Sequence, residues 1–437
     1  MKLVVRTTEP RFASLRRRLA ERGTALEASV EPAVRRILDD VRKRGDAAVA
    51  AATLRFDRVR VPPSRLVIER DRMRAACDEL SRADLGALRL AAKRIGSFHA
   101  RQLERSFRYR DGLGVLLGQE IRPLARVGLY VPGGTAFYPS SVLMNAIPAR
   151  VAGVREVIAV SPPHAGGEPP TLLAAAYLAG VDRIYRVGGA QAVAALAFGT
   201  RRIPRVDKIV GPGNAYVATA KRLVAGLVGI DMVAGPSEVV VVADAHAEPE
   251  LVAADLLAQA EHGTDSTAIC LTPSARVAAG VERALEEQLA VLPRGALARK
   301  ALQKHGAVIV TRSLGEAVEL ANELAPEHLE LAVREPARLV SKIEHAGAIF
   351  LGHSTPEAFG DYLAGPNHVL PTGGSARFAS PLGVYDFLKR TSVIQAGPRA
   401  LARLGGPLRR LAAMEGLDAH GAAVAKRLGR TRVRRSA

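Results

Sequence analysis

The sequence contains no tryptophan, and aromatic residues make up only 4% of it. It has two cysteines, Cys77 and Cys270, far apart in the chain. Two isolated thiols exclude a disulfide framework and a cysteine-rich metal site. Cys270 sits in the apolar run "TAICLT", a setting that suits an inert buried thiol better than a nucleophile. No stretch of about 18 apolar residues is present, so no transmembrane helix is expected. The first ten residues, "MKLVVRTTEP", lack the apolar core of a secretion signal, and the expected location is cytoplasmic. Acidic residues are also in short supply. With 62 Lys and Arg against 43 Asp and Glu the formal charge is +19, which raises the question of a nucleic-acid partner. The arginines are scattered, apart from the end "RLGRTRVRRSA", and neither a nucleic-acid motif nor interleaved aromatics accompany them. Anionic small molecules are the better match, and the last eight or so residues are expected to be a frayed basic tail. The chain also lacks the GxGxxG dinucleotide fingerprint and any internal repeat at solenoid spacing.

What is present is enough apolar sequence, 48% of 437 residues, for two or more cores. Residues 1–25 are basic and read as a helical segment. Residues 27–57 read as two amphipathic helices around a glycine break, and 81–105 as another. From Arg126 the pattern changes. "RVGLYVP", "REVIAVSP", "DRIYRVGG" and "DKIVGPG" are short β-branched runs separated by alanine-rich helical stretches. A second series starts at "SEVVVVAD" (237–244) and continues through "TAICLT" and "AVIVT". Strand–helix alternation of this kind predicts an α/β fold with two Rossmann-like parallel-sheet units, flanked by helical N- and C-terminal segments. The expected divisions are 1–25, an α/β body of 26–125 with 237–384, a cofactor-binding unit at 126–236, and a C-terminal helical segment at 385–437.

Three predicted strands end in glycine-rich turns: Gly133-Gly134, Gly188-Gly189 followed by Gln191, and Gly211 and Gly213 followed by Asn214. Each turn alone could be an ordinary strand-to-helix connection. Three in one sheet favour a nucleotide-sized ligand, because exposed backbone N–H groups and helix starts accept an anion. Gln259 and His262 lie three apart where Gly263 should end a helix, which puts them on one face. They could be plain surface polarity. With Asp361, His368 and His420, they could also ligate Zn, Mn or Co. Glu327-His328 follows Pro326, which should close the preceding helix at Ala325. Neighbouring residues of a strand face opposite ways, so this pair can share a substrate only at a turn or strand mouth. A solvated Glu beside a half-buried His is the plainer alternative.

Taken in order, "RVGLYVPGGTAFYPSSVLMNAIPARVAGV", "GPGNAYVATAK", "DMVAGPSE", "DLLAQAEHG", "APEHLEL", "FGDYLAGPNHVLPTGGSARFASPLGVYDFLKRTSV" and "EGLDAH" resemble histidinol dehydrogenase over nearly the whole chain. The resemblance implies oxidation of L-histidinol to L-histidine through histidinaldehyde, with two NAD+ consumed, as the last steps of histidine biosynthesis. It implies one Zn2+ per subunit, held by Gln259, His262, Asp361 and His420. Glu327 and His328 would be the proton acceptors. Ser237, Gln259, His262, His328, Asp361, His368, Glu415 and His420 would surround the substrate, and Tyr130, Gln191 and Asn214 would contact NAD. It also implies an intertwined homodimer whose C-terminal segment completes the neighbour's site. On this basis His328, titrating near neutrality, is assigned the hydroxyl proton and Glu327 the proton of the attacking water. Zinc is expected to act as a template for the substrate nitrogens. NAD binding should be weak without a standard fingerprint. The competing readings are a zinc-dependent hydrolase using the Glu-His pair, a nucleic-acid-binding protein, and an aldehyde dehydrogenase with a cysteine nucleophile.

Overall fold

The computed structural model describes residues 2–20, 22, 25–133 and 138–433; Gly134 and the last four residues of the Arg-rich end lie outside them. The chain divides into two units, Met1–Gln102 with Leu124–Phe387, and Leu103–Pro123 with Leu388–Ala437.

The first unit holds two six-stranded sheets. One runs Val4–Arg6, Gly306–Val310, Thr267–Thr272, Glu238–Ala243, His328–Ala332, Ala348–Leu351, and every neighbouring pair is parallel. Its three central strands, at 267–272, 238–243 and 328–332, are buried along their whole length, as expected when helices cover both faces. The second sheet runs Val67–Glu69, Arg183–Arg186, Glu156–Ser161, Arg126–Tyr130, Lys208–Val210, Gly229–Ile230. Only its first strand is antiparallel, to Arg183–Arg186. In this sheet the chain switches direction at Arg126–Tyr130, which pairs with 156–161 on one side and 208–210 on the other. The α/β class with two Rossmann-like sheets is therefore as expected.

The divisions differ from expectation. Residues 1–25 are not simply helical: Val4–Arg6 forms an edge strand of the first sheet, and helix Pro10–Ala20 buries Leu15 and Leu19 in that sheet's core. Residues 26–125 do not pack on the sheet that 237–384 builds, and 103–123 belong to the second unit. Val34, Leu38 and Val41 of helix Ala25–Arg44 pack with Val193, Leu196 and Val217 beside the second sheet, and Val67–Glu69 extends that sheet. An amphipathic helix shows which face needs cover but not which sheet will supply it.

The second unit also contains strand the sequence did not announce. Phe107–Arg110, Leu116–Pro123 and Leu388–Gln395 form an antiparallel sheet, so 385–437 is not wholly helical. Helices Pro398–Met414 and Asp418–Val433 follow. The second runs into the segment expected to fray. None of the described helices is long and apolar enough to cross a membrane.

Candidate active site

A cleft of about 400 Å³ opens between the two sheets of the first unit. On one side it is lined by Pro132, Pro212, Gly213 and Asn214, at the carboxyl edge of the second sheet. That is the usual ligand position in an open α/β sheet. On the other side it is lined by Ser237, Ser266, Glu327 and His328, which stand at the amino ends of strands of the first sheet. The first sheet therefore presents the edge that such folds rarely use.

The two sides differ electrically. Helices Gly189–Phe198 and Ala215–Val224 start at the second sheet's edge, and helix N-termini favour an anion. Helix Pro249–Ala260 ends beside His262, and Leu314–Leu324 ends just before Glu327. Helix C-termini carry negative partial charge and favour a cation. One wall suits a phosphate, the other a metal or ammonium group.

Glu327 and His328 stand where one ligand could meet both. Helix Leu314–Leu324 stops at Ala325, which adopts a left-handed φ of 46°. Pro326 and Glu327 follow, and the strand starts at His328, so the pair stands at a strand mouth. Both residues are buried, at 7% and 4% exposure, which removes the solvated-surface alternative. His328 Nδ1 lies 2.9 Å from the Glu238 carbonyl oxygen. A carbonyl only accepts, so Nδ1 carries the proton and Nε2 keeps a lone pair in the neutral ring. Nε2 is buried without a hydrogen-bond partner among the described residues; Asp361 Oδ1 is 3.7 Å away. Glu327 Oε2 accepts the Glu238 N–H at 2.8 Å.

Charge here departs from the expected near-neutral imidazole. Burial pushes His328 toward its neutral form, but the carboxylates of Glu357, Glu327 and Asp361 outweigh it and raise the ring well above its ordinary value. Burial pushes Glu327 up to about 8, against the pull of His328. Glu357 is likewise pushed up to about 8 by burial. Asp361 stays below the ordinary carboxylate range because His328, His368 and His262 outweigh its burial. Burial lowers His262 and His368, keeping both neutral and able to donate a lone pair. The cleft thus holds more buried carboxyl than it can ionise, and a bound cation would relieve it.

Glu357 was not foreseen from the sequence. It is 2% exposed, sits 3.7 Å from His328 Nδ1, and faces the Gln259 amide. Gln259 turns its NH2 toward it, at 2.6 Å and 3.2 Å from the two oxygens, and its own oxygen the other way. The sequence around Glu357, "STPEAFGD", carries a weak signal: a carboxylate four residues before Asp361 on one helical face.

The implied residues divide as follows. Asn214, Ser237, His262, Glu327, His328, Asp361 and His368 line the one cleft, and Gln259 joins them through Glu357. His368 Nδ1 lies 3.0 Å from the Asp361 carbonyl oxygen. Tyr130 and Gln191 lie at the neighbouring turn, where the Tyr130 hydroxyl accepts the Gly189 N–H at 3.0 Å. Glu415 and His420 belong to the second unit, where both are exposed. Among the described residues no three His, Cys, Asp or Glu side chains are gathered closely enough to cage a metal ion. Gln259, His262 and Asp361 nevertheless offer one amide, one neutral imidazole and one carboxylate, a donor set that fits zinc. The second sheet's edge fits a dinucleotide. Gln191 Nε2 is a buried donor with no partner among the described residues. Cys270 is fully buried, with its thiol pushed up to about 12 by burial, so it offers no nucleophile.

The profile of the histidinol dehydrogenase family matches residues 20–428. The chain is 54% identical over 410 residues to the histidinol dehydrogenase of Syntrophotalea carbinolica, covering 94% of this chain and 95% of that one. It is 54% identical over 428 residues to that of Rhodopseudomonas palustris, covering 98% and 99%. The crystal structure of histidinol dehydrogenase from Elizabethkingia anophelis superposes with a TM-score of 0.91 at 37% identity, covering 98% of both chains.

Proposed function

The chain belongs to the histidinol dehydrogenase family of NAD-using oxidoreductases of histidine biosynthesis, and from the cleft's geometry we propose how its own residues carry the two oxidations and what completes the site. The observation that carries this reading is a buried imidazole whose Nε2 has no hydrogen-bond partner among the described residues, beside a buried carboxyl group, across one cleft from a glycine-rich sheet edge.

When bound, NAD+ accepts a hydride in each oxidation and zinc supplies a fixed positive charge for the substrate's nitrogens. The glycine turns and Gln191 would hold the dinucleotide's phosphates and ribose. Gln259, His262 and Asp361 would hold the metal, with His420 from a second copy of the chain as the fourth ligand. In the first oxidation His328 Nε2 takes the hydroxyl proton of histidinol as the carbon loses hydride. Its Nδ1–H bond to the Glu238 carbonyl keeps the ring aimed. In the second oxidation water adds to the aldehyde, and Glu327, brought to its ionised form by positive charge bound in the cleft, takes the proton that this water releases. The carboxylates that hold His328 in its charged form lose that pull when a dication or the substrate's ammonium group sits among them. His328 is then neutral and able to accept. His368, neutral and against Asp361, is placed to orient substrate.

The test is stoichiometry. Two NADH should form per L-histidinol, with activity lost on chelation and restored by Zn2+. One NADH per substrate, or turnover indifferent to chelation, would refute the scheme.

A further inference from the structure

Beneath the cofactor side of the cleft lies an ion pair that the proposed chemistry does not use. Lys221, on helix Ala215–Val224, is 1% exposed. Its Nζ pairs with the Asp231 carboxylate, whose side chain is also 1% exposed. Both partners reach the same residue. Lys221 Nζ donates to the Gly211 carbonyl oxygen at 2.9 Å, and Asp231 Oδ2 accepts the Gly211 N–H at 2.8 Å. Gly211 follows strand Lys208–Val210 with a φ of 109°, and a Cβ there would fall 2.2 Å from the Tyr130 carbonyl oxygen. This residue is therefore held by its own N–H and C=O while lying flat on the backbone of Tyr130.

The placement of this clamp matters because of what extends from it. Pro212, Gly213 and Asn214 run directly into the cleft, and Asn214 fixes the far end by accepting the N–H groups of Tyr216 and Val217 at 3.1 Å and 3.2 Å. From Asp231 the chain crosses to the first sheet, and Ala234, Gly235, Pro236 and Ser237 line the same cleft. The ion pair thus joins the loop on the cofactor side to the crossover on the substrate side. Net stability is a poor reason to keep it, since a buried ion pair gains little over apolar residues of the same volume.

We infer that Lys221 and Asp231 are positioning residues that set the geometry of the Gly211–Asn214 loop for NAD+. The inference rests on the placement of NAD+ at the carboxyl edge of the second sheet. Lys221→Met alone leaves Asp231 buried without its counter-charge, so loss of fold could mask any loss of positioning. The double variant Lys221→Met/Asp231→Asn is neutral and nearly isosteric. Its amide oxygen still accepts the Gly211 N–H, while the ion pair and the tether to the Gly211 carbonyl are lost.

The experiment measures KM for NAD+, KM for histidinol, kcat, bound metal and melting temperature for the wild type, the double variant and Gln191→Leu. In the double variant KM for NAD+ should rise about tenfold or more. Melting temperature, metal content and KM for histidinol should stay close to wild type. A double variant with wild-type KM for NAD+, alongside a Gln191→Leu variant with a raised one, overturns the positioning role alone. Unchanged KM for NAD+ in both variants removes the cofactor placement and the inference with it. A double variant that melts early and loses both substrates equally assigns the pair to the fold and also overturns the inference.

Discussion

At the residue scale, the proposed scheme assigns two protons to two bases, Glu327 and His328. Among the described residues His328 Nε2 has no hydrogen-bond partner, whereas Glu327 has one oxygen tied to the Glu238 N–H. His328→Asn should slow histidinol oxidation by about 10²-fold or more and affect oxidation of supplied histidinaldehyde much less. Glu327→Gln should do the reverse. Each half-reaction measured on each variant decides it, and an aldehyde step untouched in Glu327→Gln would end the assignment. Glu357 acts through others: it orients the Gln259 amide and faces His328. A side chain that orients a ligand typically changes metal affinity by about 10–100-fold when altered. Glu357→Gln should therefore lose zinc to a chelator that leaves the wild type loaded, with metal content per chain as the readout.

At the scale of elements, strand His328–Ala332 carries a second buried carboxyl, Glu330, two residues along from His328. Burial and then the carboxylate of Asp255 push it up to about 9. Its folded-state value is therefore raised above the unfolded one, near 4.5. The folded state keeps a proton that the unfolded chain releases, so this group costs increasing stability as pH rises from about 4.5 towards 9. Glu330→Gln mimics the protonated form and retains a donor toward Asp255. The variant should melt like the wild type in mild acid and progressively higher than it towards pH 9. Melting curves across that range test this, and parallel curves would refute it.

The same strands show what the sequence could and could not convey. β-branched runs such as "SEVVVVAD" announce a strand buried on both faces, and the stop at Ala325-Pro326 announces the strand mouth. Neither says which edge of a sheet will face the site, and the amino-edge placement of Glu327 and His328 comes only from how the two sheets meet. The joining of 26–57 to the second sheet was equally illegible, because an apolar helix face is not addressed to one partner. Lys221 and Asp231 read as an ordinary helix lysine and loop aspartate until the fold buries them together.

At the scale of the whole molecule, the sequence motifs imply four zinc ligands, of which three lie in the first unit and His420 in the second. The second unit is small and ends in a helical hairpin. Leu404, Leu408 and Leu411 expose 43%, 41% and 62% of their surface there, at spacings that put them on one face of helix Pro398–Met414. An apolar stripe of this kind calls for cover, and a second copy of the chain is the cover that the proposed site requires. If each site takes His420 from its partner, His262→Asn and His420→Asn homodimers should both be inactive. A mixed dimer would then contain one site with both defects and one with neither, because the intact first unit of the tail variant meets the intact tail of the other. About half of wild-type activity per mixed dimer should return for independent sites. If His420 served its own chain, every site in the mixed dimer would carry one defect and no activity would return. Co-expression under two tags, isolation of the doubly tagged dimer and assay of NADH formation from histidinol separate the two outcomes.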